Sequence, residues 1–235
     1  HVAARQLLHA PGFALLAVLT LGLGIGANSA MFSITNGIML TPLPYANQER
    51  LERVWRATPQ FREGNFSAAD FMALREAEAG YGAFSAIRPR AASLADQGAP
   101  PELASSALVS ANLFSLLGVH MELGRAFQPG EDIPGREKVV ILSQRVWRNR
   151  YGASPDVLGQ SVRIDGEPHE IVGILPVSFN DWRHLGGVDF FRPLALTPAQ
   201  AADRQEHNLR VFGLRAASTD APRAAAFLDD VCARQ

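Results

Sequence analysis

The sequence predicts an α+β fold: a single N-terminal transmembrane helix followed by one mixed domain over residues 45–235. Three observations carry that prediction. Between Arg5 and Glu49 there is no Lys, Arg, Asp or Glu, although the chain as a whole holds 22 basic and 23 acidic residues. Beyond Glu49, short runs with strand alternation and short runs with helical spacing follow one another without a repeat or a low-complexity linker. Around residues 139–174, a strand, a helix and a hairpin lie in immediate succession.

Composition narrows the function classes first. The net charge of −1 is spread without a basic run, which argues against binding nucleic acid through phosphate contacts. Cys232 is the only cysteine, so neither an internal disulfide framework nor a cysteine-rich zinc site is available. The near-neutral average is itself a sum of two unlike parts. The first 48 residues carry one charge, Arg5, and the rest carry 21 basic and 23 acidic groups.

Phe13 to Leu40 reads FALLAVLTLGLGIGANSAMFSITNGIML, without charge or proline. A helix crossing a bilayer core of about 30 Å needs roughly 20 apolar residues, so residues 13–40 predict a transmembrane helix with length to spare. Asn28, Ser29, Ser33, Thr35 and Asn36 make its second half the more polar one, the half expected to emerge or to face protein. Ala14, Gly22, Gly26 and Ala30 are spaced in multiples of four, which places them on one stripe. Gly22 to Gly26 is a GxxxG, and such spacing lets helix backbones approach closely in lipid. Gly22, Gly26 and Ala30 are therefore the candidate helix-packing residues.

Two other readings compete for this segment. Arg5 ahead of an apolar stretch, with Ala27-Asn28-Ser29 behind it, fits a cleavable signal peptide, but Met31, Phe32, Ile34 and Ile38 continue the apolar run past that site. Gly22-Leu23-Gly24-Ile25-Gly26-Ala27 contains a loose GxGxxA, which in a dinucleotide fold follows a strand and opens a helix with a polar face. Ala27 to Leu40 has no charged face, and Pro42 and Pro44 occupy the place of the second strand. Counting Lys and Arg on both flanks leaves the orientation of the helix open.

After the prolines, Leu51 to Trp55 alternates as a strand. Ser67 opens a helix with Asp70 in its first turn and Phe71, Leu74 and Ala77 at helical spacing. Ala91–Leu94 and Ser105–Val109 read as a hairpin across the Gly98–Pro101 turn region, and Asn112 as the cap of a helix that Gly118 ends. Gly124 to Phe127 leads into a loop holding Glu131 and Asp132. Val139–Leu142 is a strand, and Ser143 to Tyr151 a helix. Val162–Ile164 is expected to pair with Ile171–Ile174 around the Asp165-Gly166 turn. Phe190–Leu194 and Leu209–Leu214 are strands, Pro198–Arg204 is a short helix, and residues from Ala221 onward are helical, apolar at Ala225, Leu228 and Cys232.

No catalytic constellation emerges. The six histidines, at positions 1, 9, 120, 169, 184 and 207, lack HxH or HxxxH spacing. Neither a GxSxG elbow nor a P-loop is present. Glu131 and Asp132, beside Pro129, Gly130, Pro134 and Gly135, read as a solvated loop. His169 reads as an outward strand position, and Trp55, Trp147 and Trp182 as core or interface residues. The chain is expected to be no enzyme and to carry neither cofactor nor metal.

Taken together, Arg5-Gln6-Leu7 with Pro11-Gly12-Phe13, the run LTLGLGIGANSAMFSITNGIMLTPLPY, LERVW, Gly124-Arg125-Ala126-Phe127, VVILSQRVWRNRYG and GQSVRIDGEPHEIVGILP closely resemble the N-terminal part of MacB/FtsX-type ABC transporter permeases. The match is strongest to the orphan branch without a fused ATPase. The resemblance implies a cytoplasmic flank over residues 1–12, a transmembrane helix over 13–40, and a MacB-like periplasmic core domain over 45–235, cut short at its C-terminal end. That domain would have a βαβ-built lobe and an inserted second lobe. It implies residence in the cell inner membrane with the N-terminus cytoplasmic, a separately encoded ABC-type ATPase as partner, a second permease copy, the lipid bilayer around the helix, and room for a periplasmic adaptor. The implied mechanism is mechanotransmission, in which ATPase-driven motion crosses the membrane to the periplasmic domain for efflux or release of a substrate. The reading from another class is a membrane-tethered periplasmic binding, sensor or enzyme domain with no ATPase partner.

Overall fold

The computed structural model describes residues 11–35, 45, 47–57, 63–96, 100–179 and 187–233, and the chain divides into two units, His1–Leu43 and Pro44–Gln235. Among the described residues, the first unit holds one helix, α1 (Pro11–Thr35). Proline opens it at the position where its missing N–H costs nothing, and 25 residues give a rod about 37 Å long. Ala17 to Leu21 is helical, so the strand that a dinucleotide turn requires is absent here. The expected continuation to Leu40 and the flank over residues 1–10 lie outside the described residues.

In the second unit, strands β1 (Leu51–Val54), β2 (Gly82–Ala95), β3 (Glu102–Val109), β4 (Leu123–Gly124), β5 (Val139–Leu142), β6 (Ser161–Ile164), β7 (Glu167–Ile174), β8 (Phe190–Pro193) and β9 (Arg210–Arg215) form one sheet. Its order is β1-β9-β2-β3-β8-β5-β7-β4, and β6 pairs with both β7 and β2. Those two pairings close a ring: β2, β3, β8, β5, β7, β6 and back to β2. The helices are α2 (Ala68–Glu76), α3 (Leu113–Leu117), α4 (Gln144–Tyr151), α5 (Pro198–Ala201) and α6 (Ala221–Ala233).

Strand β2 joins the two halves of the sheet. At about 3.3 Å per residue its 14 residues extend roughly 46 Å, enough for Gly82–Ile87 to pair with β9 and Ile87–Leu94 with β3. On one side of the sheet this produces two apolar cores. The first gathers Val54, Phe84, Ala86, Val211 and Leu209 under α2 (Phe71, Leu74) and α6 (Ala224, Val231). The second lies in the ring, where Ala92, Leu94, Val140, Leu142, Val162, Ile164, Ile171, Ile174 and Phe190 meet, with Val146 of α4 among them. The two cores share one continuous sheet. In the second, β5 and β7 run parallel on either side of α4, a βαβ arrangement of the kind the resemblance implied. Phe191, one residue on from Phe190, points the other way and meets Phe114 edge-on at 5.4 Å and 83°.

Local chemistry explains the helix starts and the tight turn. Ser67 accepts from the Asp70 amide while the Asp70 carboxylate accepts from the Ser67 amide, a complete capping box. Ser143 caps α4 through the Val146 amide. Asp165 and Gly166 take φ of 51° and 86°, the two positive values of a two-residue hairpin turn.

The register corrects several expectations. Val162–Ile164 pairs with Glu167–His169, not with Ile171–Ile174; the latter run of β7 pairs with β5. Apolar runs are matched in the hairpin reading, whereas the two-residue turn fixes the partners by counting outward from Asp165-Gly166. The same register puts His169 opposite Val162, so it is 4% exposed and not on the outer face. Asn112 does not cap α3 with its side chain; its amide donates to the Phe84 carbonyl instead, tying α3 to β2. On α6 the buried positions are Ala224 and Val231, while Ala225 is exposed.

Candidate functional site

The helix stripe comes first. Gly22, Gly26 and Ala30 are all exposed, and a β-carbon added at Gly22, Gly24 or Gly26 would meet nothing within 4 Å. Leu15, Leu16, Val18, Leu19, Leu21, Leu23, Ile25, Met31 and Phe32 around the helix are 61–79% exposed. Among the described residues no helix is long and apolar enough to cross a membrane.

The domain's polar side chains are mostly committed to one another. Among the described residues no group of three His, Cys, Asp or Glu side chains could hold a metal ion. Glu131 and Asp132 do not form the solvated loop expected of them. Glu131 receives Arg125 at 2.7 and 3.1 Å and the Gln128 amide at 2.7 Å, which holds the Arg125 guanidinium above its ordinary pKa. Asp132 accepts from the Ala111 amide and faces Arg75 at 3.6 Å, with its side chain only 11% exposed. Together these carboxylates staple the loop to the start of α3 and to α2.

A second clamp ties neighbouring strands together at the β1 edge of the sheet. Arg215 donates to Glu52 at 2.6 Å and Tyr81 donates to the other Glu52 oxygen at 3.0 Å; burial and the nearby carboxylate push the Tyr81 phenol well above its usual range. Across the barrel, Arg150 and Tyr151 of α4 both reach Asp96, and burial with that hydrogen bond raises the Tyr151 phenol too. Trp147 donates to the Ser154 carbonyl from the edge of the ring core, and Arg53 stacks on Trp55 at 3.6 Å. Trp182 lies outside the described residues.

One cleft, of about 490 Å³, opens between the end of β1, α2 and α6. Its walls are apolar at Val54, Phe66, Leu74, Leu228 and Val231, and Asp70 sits in it with Arg56 at 3.5 Å, Arg204 at 3.6 Å and His207 at 3.9 Å. Neither this cluster nor the clamps stand out in the sequence, because their partners come from separate elements, as far apart as the 163 residues between Glu52 and Arg215; the helix-start pattern at Ser67 and Asp70 is the one signal that points there.

The fold defines a class: mixed α/β domains built on one continuous sheet with helices packed against it. The chain belongs to the MacB-like periplasmic core domain family, whose sequence profile matches residues 14–228. That span includes most of α1 as well as the domain. Three solved structures share the fold at low identity. A domain of a putative permease protein from Porphyromonas gingivalis superposes with a TM-score of 0.60 at 13% identity, covering 82% of this chain and 84% of the other. The periplasmic region of MacB from Actinobacillus actinomycetemcomitans gives 0.57 at 13%, covering 77% and 80%. The extracellular domain of the noncanonic ABC-type transporter YknZ from Gram-positive bacteria gives 0.51 at 16%, covering 77% and 91%. No curated protein sequence matches the chain.

Proposed function

We propose that this chain is the membrane-entry and periplasmic part of a permease subunit of a MacB/FtsX-type ABC transporter. The observation that carries the reading is the family match over residues 14–228, which takes in a charge-free helix and the domain after it as one unit of sequence. In this reading α1 crosses the inner membrane from a cytoplasmic N-terminus. The span in this reading is the uncharged run over residues 13–40, of which α1 is the described part and which exceeds the roughly 20 residues that a bilayer core requires. The Gly22/Gly26/Ala30 stripe receives another membrane helix, from this subunit or from a second copy, in lipid where close packing drives association.

The domain itself performs no chemistry. A separately encoded ABC-type ATPase moves the membrane helices on binding ATP, α1 passes that motion on, and two periplasmic domains change their mutual arrangement to push or release cargo, with or without an adaptor. Clamps such as Glu52–Arg215–Tyr81 and Asp96–Arg150–Tyr151 support this reading because they brace a domain that must move as a body. The tethered binding or sensor domain draws support from one feature, the half-apolar cleft beside Asp70.

Spin labels at Leu103→Cys, in full-length protein with Cys232→Ser and assembled with its ATPase, test the transmission step. Trapping the ATPase with ATP should shift the inter-copy distance distribution. Identical distributions with and without ATP would contradict transmission and favour the tethered domain.

A further inference from the structure

Between the two cores, on the same side of the sheet, lies a polar belt. Along β2 the residues of that side are Phe84 and Ala86 in the first core, then Arg88 and Arg90, then Ala92 and Leu94 in the second. Strand β8 repeats the order with Phe190 in the second core, Arg192, and Leu194 in the first. Between them β3 supplies Leu108 opposite both Arg88 and Arg192, and Ser106 opposite Arg90 and Phe190. At about 4.8 Å per strand spacing, Arg88 and Arg192 start roughly 10 Å apart, with Arg90 one step along the same face.

Three guanidinium groups thus share one saddle with few partners. Arg192 has a side chain 12% exposed and faces Asp165 at 3.3 Å, but its Nε is buried without a partner. The Nε of Arg88 is buried and unpartnered as well. Neither Arg88 nor Arg90 makes a side-chain hydrogen bond among the described residues; Glu206 acts on Arg88 only through its field, and Ser106 donates to the Arg90 carbonyl. Arg90 is exposed at the rim. Burial and mutual repulsion with Arg90 hold both Arg88 and Arg192 below the ordinary guanidinium range. Like charges on neighbouring strands destabilise a sheet, and a buried donor left unmade costs its desolvation.

We propose that the Arg88/Arg90/Arg192 saddle is a binding site for an oxyanion group such as phosphate, which guanidinium groups hold through charge-assisted hydrogen bonds. The anion neutralises the seam of like charge between the two cores. A free phosphate ester and a lipid headgroup share this chemistry.

The test is titration calorimetry on the full chain in uncharged detergent at constant ionic strength. Inorganic phosphate is the probe in one arm and a dihexanoyl phosphatidic acid in the other. Saturable phosphate binding is expected, weakened about tenfold by Arg90→Gln and abolished by Arg88→Gln with Arg192→Gln. Equal affinity in both arms assigns a free phosphate ester, and tighter binding of the acylated probe assigns a headgroup. Should the double variant fail to fold, the exposed Arg90→Gln decides alone. No heat beyond that of a chloride control, or an Arg90→Gln variant that binds as tightly as the parent, would overturn the proposal.

Discussion

Glycine serves opposite purposes in the two units. In α1, the space beside Gly22, Gly24 and Gly26 is empty out to 4 Å, whereas a β-carbon at Gly173 would lie 2.3 Å from the Arg125 carbonyl and one at Gly213 would lie 2.7 Å from the Tyr81 ring. At these two strand glycines the space is already filled by the chain's own atoms, whereas turn glycines such as Gly152 and Gly166 are open and serve a positive φ; those of the helix leave room that nothing described in this chain occupies. One unit has settled its contacts internally, and the other presents small residues and large exposed apolar side chains to whatever surrounds it.

That contrast can be broken at the packed end first. Gly173→Ala forces main chain against main chain where β7 passes the Arg125 segment, and should destabilise the domain by about 1–3 kcal/mol, seen as a lower denaturation midpoint. An unchanged midpoint would mean that the close approach is not a constraint.

A smaller effect comes from His169. Burial, with Arg192 and Lys138 nearby, lowers its pKa below the ordinary 6.5. The unfolded chain therefore binds its proton more readily, so the contribution to stability is complete above about pH 6.5 and is lost as pH falls from there to the lower folded value. His169→Gln should flatten the fall in melting temperature between pH 7.5 and 5; an unchanged slope would place the titration elsewhere. Smallest is the effect of Gly22→Leu with Gly26→Leu on domain stability, expected within about 0.5 kcal/mol. The same pair in the full-length protein should lose helix crosslinking and transport. Retained crosslinking would show that the stripe is not a packing face.

What the sequence made legible was local. The capping box at Ser67 and Asp70, the Ser143 start, the left-handed Gly118 and the Asp165-Gly166 turn are written within a few residues and fold as read. Pairing across distance was harder. His169 looked outward because the hairpin was aligned by its apolar runs, when turn geometry sets the register. Glu131 and Asp132 looked solvated because their partners Arg125 and Arg75 become neighbours only when the loop folds back. The arginines of the saddle carry no local signal, since nothing near them in the chain says that β2 crosses from one core to another. The helix stripe was readable as spacing, and nothing described in this chain packs against Gly22 or Gly26.

The central claim is that α1 anchors this domain on the far side of the inner membrane. Leu103 is 84% exposed and offers a direct probe. In the full-length protein carrying Leu103→Cys and Cys232→Ser, a membrane-impermeant maleimide should label intact cells whose outer membrane has been made permeable. Labelling that appears only after the inner membrane is broken would contradict the account.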